Sequence, residues 1–226
     1  MQNPSETLSA AVFDSDGTVV DTRELIIEGY LRSLYQDDPE HRFDRTAIEM
    51  AIGQPVPETY ARLLGLPKDD PRVIELSRQH DTVQDGLVHL VEEYVGMIEL
   101  LEKLRANRKK VGMFTSGTIP HIERNFRAVG YSVHDLFDAT VTVEDGPTAK
   151  PDGEGIVICC QQLDVPVDET AFVGDSRYDI LASKDAGVGI TVGVTHGFGT
   201  EQELYEAGAD YVVGDPAALE AILLDS

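Results

Sequence analysis

The sequence predicts an α/β fold: a parallel sheet flanked by helices, with an all-helical unit inserted after the first strand. Three observations carry this. Short apolar runs alternate with amphipathic stretches along most of the 226 residues, the rhythm of strands joined by crossover helices. From about Arg23 to Tyr94 the patterns are helical only, and roughly seventy such residues exceed the dozen or more that one crossover needs. The length suits one large domain carrying a smaller inserted one.

In chain order, strands are expected at 10–13, 111–114, 139–143, 170–173, 189–192 and 211–213. Each is a short apolar run bounded by turn residues. Between them, residues 99–106, 119–128, 154–163, 180–186 and 201–206 have helical spacing. Gly130, Gly187 and Gly208 fall where helix-terminating glycines belong. Inside the insertion, helical patterns cover 25–35, 45–51, 58–64, 72–79 and 87–94, with linkers near 20–23 and 94–97. The expected division is therefore 1–20 with 96–226 as the α/β core and 21–95 as a helical lid. Gly53-Gln54-Pro55 interrupts the helices, either as a loop facing a ligand or as an ordinary turn.

Hydrophobic content of 42% and charged content of 26% are ordinary for a globular chain. The charge balance is not: 18 Lys and Arg face 41 Asp and Glu, a formal net charge of −23. Such a surface repels phosphate backbones and anionic membranes, so neither nucleic acid nor membrane is an expected partner. The acids are spread along the chain, which fits either adaptation to high salt or a merely acidic enzyme. The two cysteines, Cys159 and Cys160, are adjacent. Neighbours on a helix point apart, so they read as packing thiols in a reducing compartment. Residues 1–10 lack the basic and apolar regions of a leader, and no apolar run approaches membrane-spanning length. A cytoplasmic protein, monomer or homodimer, is expected.

Four separated signals fall at predicted strand ends, where open α/β sheets place their ligands. The first is Asp14 and Asp16, one residue apart and followed by Gly17-Thr18. Two crowded carboxylates need a cation or a shared proton, unless the pair is only a solvated turn. The second is Thr115-Ser116-Gly117, an anion cradle or a helix cap. The third is Lys150-Pro151, a compact cation suited to phosphate or paired carboxylates, or a surface lysine. The fourth is Gly174-Asp175-Ser176, with Asp179 either orienting the site or serving the start of its helix.

The order Asp14-x-Asp16-Gly17-Thr18, Thr115, Lys150-Pro151 and Gly174-Asp175-Ser176-x-x-Asp179 resembles the four motifs of the haloacid dehalogenase superfamily. The resemblance spans essentially the whole chain. It implies a Rossmann-like parallel sheet core with a helical cap at the position called C1. Asp185-Ala186-Gly187-Val188 and Gly208-Ala209-Asp210-Tyr211-Val212 look like the phosphoglycolate phosphatase-like branch. Ser15 departs mildly from the family, which more often has an apolar residue there.

The resemblance implies a phosphomonoester phosphatase acting on a small phosphorylated metabolite, 2-phosphoglycolate being one, through an aspartyl-phosphate. Asp14 would be the nucleophile and Asp16 the general acid–base. Mg²⁺ would be held by Asp14, the Asp16 carbonyl oxygen and Asp175. Thr115, Ser116, Gly117 and Lys150 would bind phosphate, with Asp179 behind them. Arg45, Gln54 and Arg62 are the lid residues expected to face the substrate. The same core motifs fit a sugar-phosphate mutase of the β-phosphoglucomutase kind, or a binding protein on a retained scaffold.

Overall fold

The computed structural model describes residues 8–40, 43–52 and 54–224. Six parallel strands form one sheet: β1 (Ala10–Phe13), β4 (Lys110–Phe114), β5 (Ala139–Val141), β6 (Thr170–Gly174), β7 (Ile190–Val194) and β8 (Tyr211–Val213). Their spatial order is β5-β4-β1-β6-β7-β8. Both neighbours of β1 are long-range partners, with Phe13 level with Met113 on one side and Val173 on the other. The strand order therefore reverses at β1, and the crevice of such a sheet opens where that happens.

Successive residues of a strand face opposite sides, and here both sides are covered. Ala11 and Phe13 join Val111, Met113 and Val173 in one apolar layer with Leu101, Leu104, Ile122 and Phe126. These come from α5 (Met97–Ala106) and α6 (Ile119–Ala128). Ala10 and Val12 join Phe114 and Phe172 in the other layer, against Ile156, Cys159 and Cys160 of α8 (Glu154–Leu163). Burial on both faces is why these strands read as continuous apolar runs rather than alternating ones. Both thiols are free and buried in that layer. Gly155 lets α8 lie flush on the sheet, since a Cβ there would fall 2.1 Å from the Phe114 ring.

The inserted stretch holds α1 (Arg23–Asp37), α2 (Arg45–Glu49), α3 (Val56–Leu64) and α4 (Pro71–Asp85). They enclose a separate apolar cluster that includes Ile27, Tyr30, Leu34, Ile48, Tyr60, Val73 and Leu76. One departure lies where this stretch joins the sheet. The linkers are not plain coil: β2 (Val20–Asp21) and β3 (Glu92–Glu93) pair antiparallel. The helix expected over 87–94 is instead a short 3₁₀ turn, Val88–Leu90, followed by β3. Gly86 closes α4, and buried Leu87 and Val91 pin the segment to the sheet-side core.

Two helices went unanticipated, α7 (Val133–Leu136) and α11 (Pro216–Leu224). Leu219 and Leu223 of α11 bury in the same layer as α5. The strand expected over 139–143 stops at Val141, because Thr142 and Asp145 form a capping box that starts a 3₁₀ turn. The helix expected over 180–186 begins earlier, as α9 (Arg177–Ala186), and α10 spans Glu201–Ala207. Gly187 and Gly208 end α9 and α10 with positive φ. Gly130, also at positive φ, follows one residue after the cap of α6.

Candidate active site

β1, β4 and β6 end side by side, so Asp14, Thr115 and Asp175 emerge together without any long loop to position them. The Asp14 amide donates to Val173 O at 2.9 Å, tying the first site residue to the neighbouring strand. The chain then turns at Gly17, whose φ of +83° favours glycine. A Cβ there would meet Asp175 Oδ2 at 2.5 Å, so only glycine lets the two acidic loops approach this closely.

Lys150 lies at the centre of the acids with its side chain 5% exposed. Its Nζ donates to Asp14 Oδ1 at 2.5 Å and to Asp179 Oδ1 at 2.7 Å. The ammonium also sits over the Phe114 ring, 4.8 Å from its centre. Burial disfavours its charge, but Asp14 and Asp179 outweigh that and hold it protonated above the usual lysine range. The surface-lysine alternative is removed by this geometry. Asp179 meets both of the readings open for it. Its Oδ2 accepts from the Ser176 amide at 3.0 Å as part of a capping box, while Oδ1 takes Lys150.

Asp14, Asp175 and Asp179 each place a carboxylate oxygen so that all three lie within 4.8 Å of one another. Burial pushes Asp14 up to about 7, with Lys150 opposing and Asp179 and Asp16 adding to the rise. Burial, then repulsion from Asp179 and Asp14, lifts Asp175 well above the usual carboxylate range. Thr18 Oγ1 stands between Asp14 Oδ2 at 3.4 Å and Asp175 Oδ1 at 3.3 Å. It has one proton for two acceptors. These two oxygens thus face each other undercompensated, an all-oxygen donor set of the kind a hard divalent cation takes.

Asp16 lies apart from that trio. His121 Nε2 is 3.1 Å from its Oδ2, and Asn125 Nδ2 donates to its Oδ1 at 3.0 Å. Burial raises its pKa, but His121 and Asn125 outweigh that and keep the carboxyl below its ordinary value. His121 and Asn125 share one face of α6, four residues apart. Arg124 Nη2 donates to His121 Nδ1 at 3.0 Å, and arginine has no acceptor. His121 therefore offers Nε2–H to Asp16. Arg124 also donates to Gln84 Oε1 at 2.9 Å. Gln84 Nε2 then reaches His80 at 3.0 Å, and His80 reaches Tyr60 Oη at 2.9 Å. A continuous polar chain thus joins the Asp16 carboxylate to α3 and α4. None of these partners was singled out from sequence. The signal was there: a His, an Arg and an Asn at i, i+3 and i+4 of the helix that follows Thr115.

Thr115 is buried, and its Oγ1 accepts from the Gly117 amide at 3.1 Å. One of the donors expected for phosphate is engaged within its own turn. The cap of α6 is Thr118, which accepts from His121 N, so the capping role belongs to neither Thr115 nor Ser116.

A cavity of about 400 Å³ opens here, lined by Asp14, Asp16, Thr115, Ser116, Gly117, Lys150, Asp175 and Asp179 from the sheet side. Ile26, Tyr30, Ile52, Gln54, Val56, Asp81 and His80 line it from the inserted helices. Gln54 fits the expectation of a pocket-facing residue, and its Nε2 donates to Tyr178 Oη at 2.7 Å. Gly53 beside it lies outside the described residues. Arg45 and Arg62 are corrections, since neither is among the lining residues. Arg45 pairs with Glu24 and Glu49, and Arg62 donates to Met50 O at 3.0 Å. Arg62 is exposed and the Arg45 side chain is 42% exposed, so both arginine heads keep hydration.

A pyrophosphatase PpaX of Bacillus velezensis is 30% identical over 206 residues, covering 91% of this chain and 92% of that protein. A second pyrophosphatase PpaX, from Bacillus thuringiensis, is 29% identical over 181 residues and 80% of each chain. A hydrolase of Pseudomonas syringae has a crystal structure that superposes with a TM-score of 0.82 at 27% identity, over 94% of this chain and 95% of that one. The family model for haloacid dehalogenase-like hydrolases matches residues 11–192, and the chain belongs to that family of enzymes.

Proposed function

We propose that the protein is a divalent-metal-dependent phosphatase of small phosphomonoesters, working through a phosphoryl group carried on Asp14. The observation that carries this is the division of labour between two carboxylates two residues apart. Asp14 is fixed against Lys150, while Asp16 is held separately by His121 and Asn125. Environments that push paired acids in opposite directions mark distinct chemical roles.

In the first step an Asp14 oxygen forms a bond to phosphorus as the bond to the leaving alcohol breaks. Asp16 gives its proton to the oxygen of the leaving alcohol. The arriving phosphate dianion favours the protonated form of Asp16, because like charge nearby raises a carboxyl's pKa. In the second step a water attacks the phosphorus of the Asp14 acyl phosphate, Asp16 takes the water's proton, and Asp14 is released as carboxylate. Lys150 balances charge on Asp14 and on the phosphoryl oxygens, while Thr115 and Ser116 offer donors to those oxygens. Asp14 and Asp175, with the Asp16 carbonyl, would hold Mg²⁺, which supplies charge neutralisation between nucleophile and phosphate when bound. The Asp16 carboxylate is not part of that set, and Asp179 orients Lys150.

Residues 21–95 form the lid over this site, and the β2–β3 ribbon is the double crossing that joins it to the core. Phosphate release from a panel of monoesters, with and without EDTA, tests the reading. Hydrolysis that stops on chelation and returns with Mg²⁺ is the expected result, and EDTA-insensitive hydrolysis contradicts it. We also read the net charge of −23 as adaptation to high salt. The melting temperature should then rise between low and molar KCl; equal values would contradict it.

A further inference from the structure

The wall of the cavity away from the acids has a different character from its floor. Ile26, Tyr30, Ile52 and Val56 supply apolar surface. Among the described lining residues, Lys150 is the one lysine or arginine, and it is already shared between Asp14 and Asp179 at 2.5 and 2.7 Å. The two lining histidines are likewise committed. His121 has Asp16 on one nitrogen and Arg124 on the other. His80 has Tyr60 and Gln84, and burial, helped by His121 and Arg124, lowers it to about 3, so its ring is neutral. The remaining charge on that side is Asp81, an acid on α4.

An anionic group entering there would lose hydration against apolar side chains, find no free lysine or arginine among the described lining residues, and face a carboxylate. An uncharged group of similar size would gain from the same surface. Resting on the phosphatase reading above, we propose that the substrate is a phosphomonoester whose leaving alcohol is uncharged and largely apolar, with no second phosphate or carboxylate. Inorganic pyrophosphate and 2-phosphoglycolate are then poor substrates, although relatives of this chain are pyrophosphatases by name. The Arg45 and Arg62 side chains, which could have received a second anion, lie in surface contacts instead.

The test compares charged and neutral substrates on the intact enzyme with Mg²⁺ present, the first pair being near-isosteric. 2-Phosphoglycolate is set against its neutral amide, 2-phosphoglycolamide, and pyrophosphate against benzyl phosphate. The neutral member of each pair should have the higher kcat/KM, by roughly tenfold or more, the scale on which an unpaired polar group discriminates. Equal or higher kcat/KM for 2-phosphoglycolate or pyrophosphate overturns the proposal while leaving the phosphatase reading intact. Failure to hydrolyse any of the four overturns both.

Discussion

The sheet ends and the inserted helices handle charge in opposite ways. At the sheet ends, Asp14, Asp175, Asp179 and Lys150 are buried, Asp16 is half-buried, and the ends of β1 and β6 fix Asp14 and Asp175. Lys150 serves Asp14 and Asp179 together, and Thr18 stands between Asp14 and Asp175. In the inserted helices Arg62, Arg72 and Arg78 are exposed and Arg45 is half-buried, and their contacts are made near the surface. That stretch turns apolar surface toward the cavity. On the function proposed above, chemistry would reside at the strand ends and selectivity on the wall formed by the inserted helices.

Substitutions can break this contrast. Asp14→Asn should lower kcat by on the order of 10⁴-fold or more while the fold survives, since it relieves the crowding of acids. Steady-state rates and far-UV circular dichroism check both halves. A smaller loss belongs to the polar chain that links the two regions. His121→Ala should cost kcat about 10- to 100-fold with KM changed by less than about twofold, because it frees Asp16 without touching the ester. A KM effect as large as the kcat effect would place His121 against the substrate instead.

The regions should also respond to pH with opposite sign. Asp14 binds its proton up to about pH 7 when folded, and only to about 3.8 when unfolded. In EDTA its contribution is present below the lower value and lost as pH rises through the higher one. His80 runs the other way. Its folded value near 3, against 6.5 unfolded, gives stability above 6.5 that is lost as pH falls toward 3. Thermal melts from pH 5 to 8 should therefore steepen their decline above pH 6 in EDTA, and Mg²⁺ should restore most stability at pH 8. A metal effect independent of pH would contradict the assignment of the cation to Asp14. The smallest effect should come from Arg45→Ala with Arg62→Ala, which ought to change kcat/KM by less than about twofold, as exposed pairs contribute little.

The sheet side was legible because its information is local. A strand that ends in Asp14, Thr115 or Gly174-Asp175 delivers those groups to one edge whatever the loops do. The cap contacts were not. Nothing in the spacing of Arg45 or Arg62 says that Glu24, Glu49 and the Met50 carbonyl sit nearer than the cavity. The β2–β3 ribbon escaped notice because two-residue strands have no periodicity to detect. The hold of His121 and Asn125 on Asp16 depends on how α6 docks beside β1, a tertiary fact. Ser15, where the family more often has an apolar residue, is fully buried with its hydroxyl unpartnered among the described residues.

In the mechanism proposed above, Asp14 carries the phosphoryl group. Rapid acid quench of the enzyme turning over benzyl phosphate, followed by peptide mass mapping, measures this directly. A hydroxylamine-sensitive phosphoryl group on Asp14 is the expected result. A phosphoryl group on any other residue, or undiminished turnover by Asp14→Asn, would contradict it.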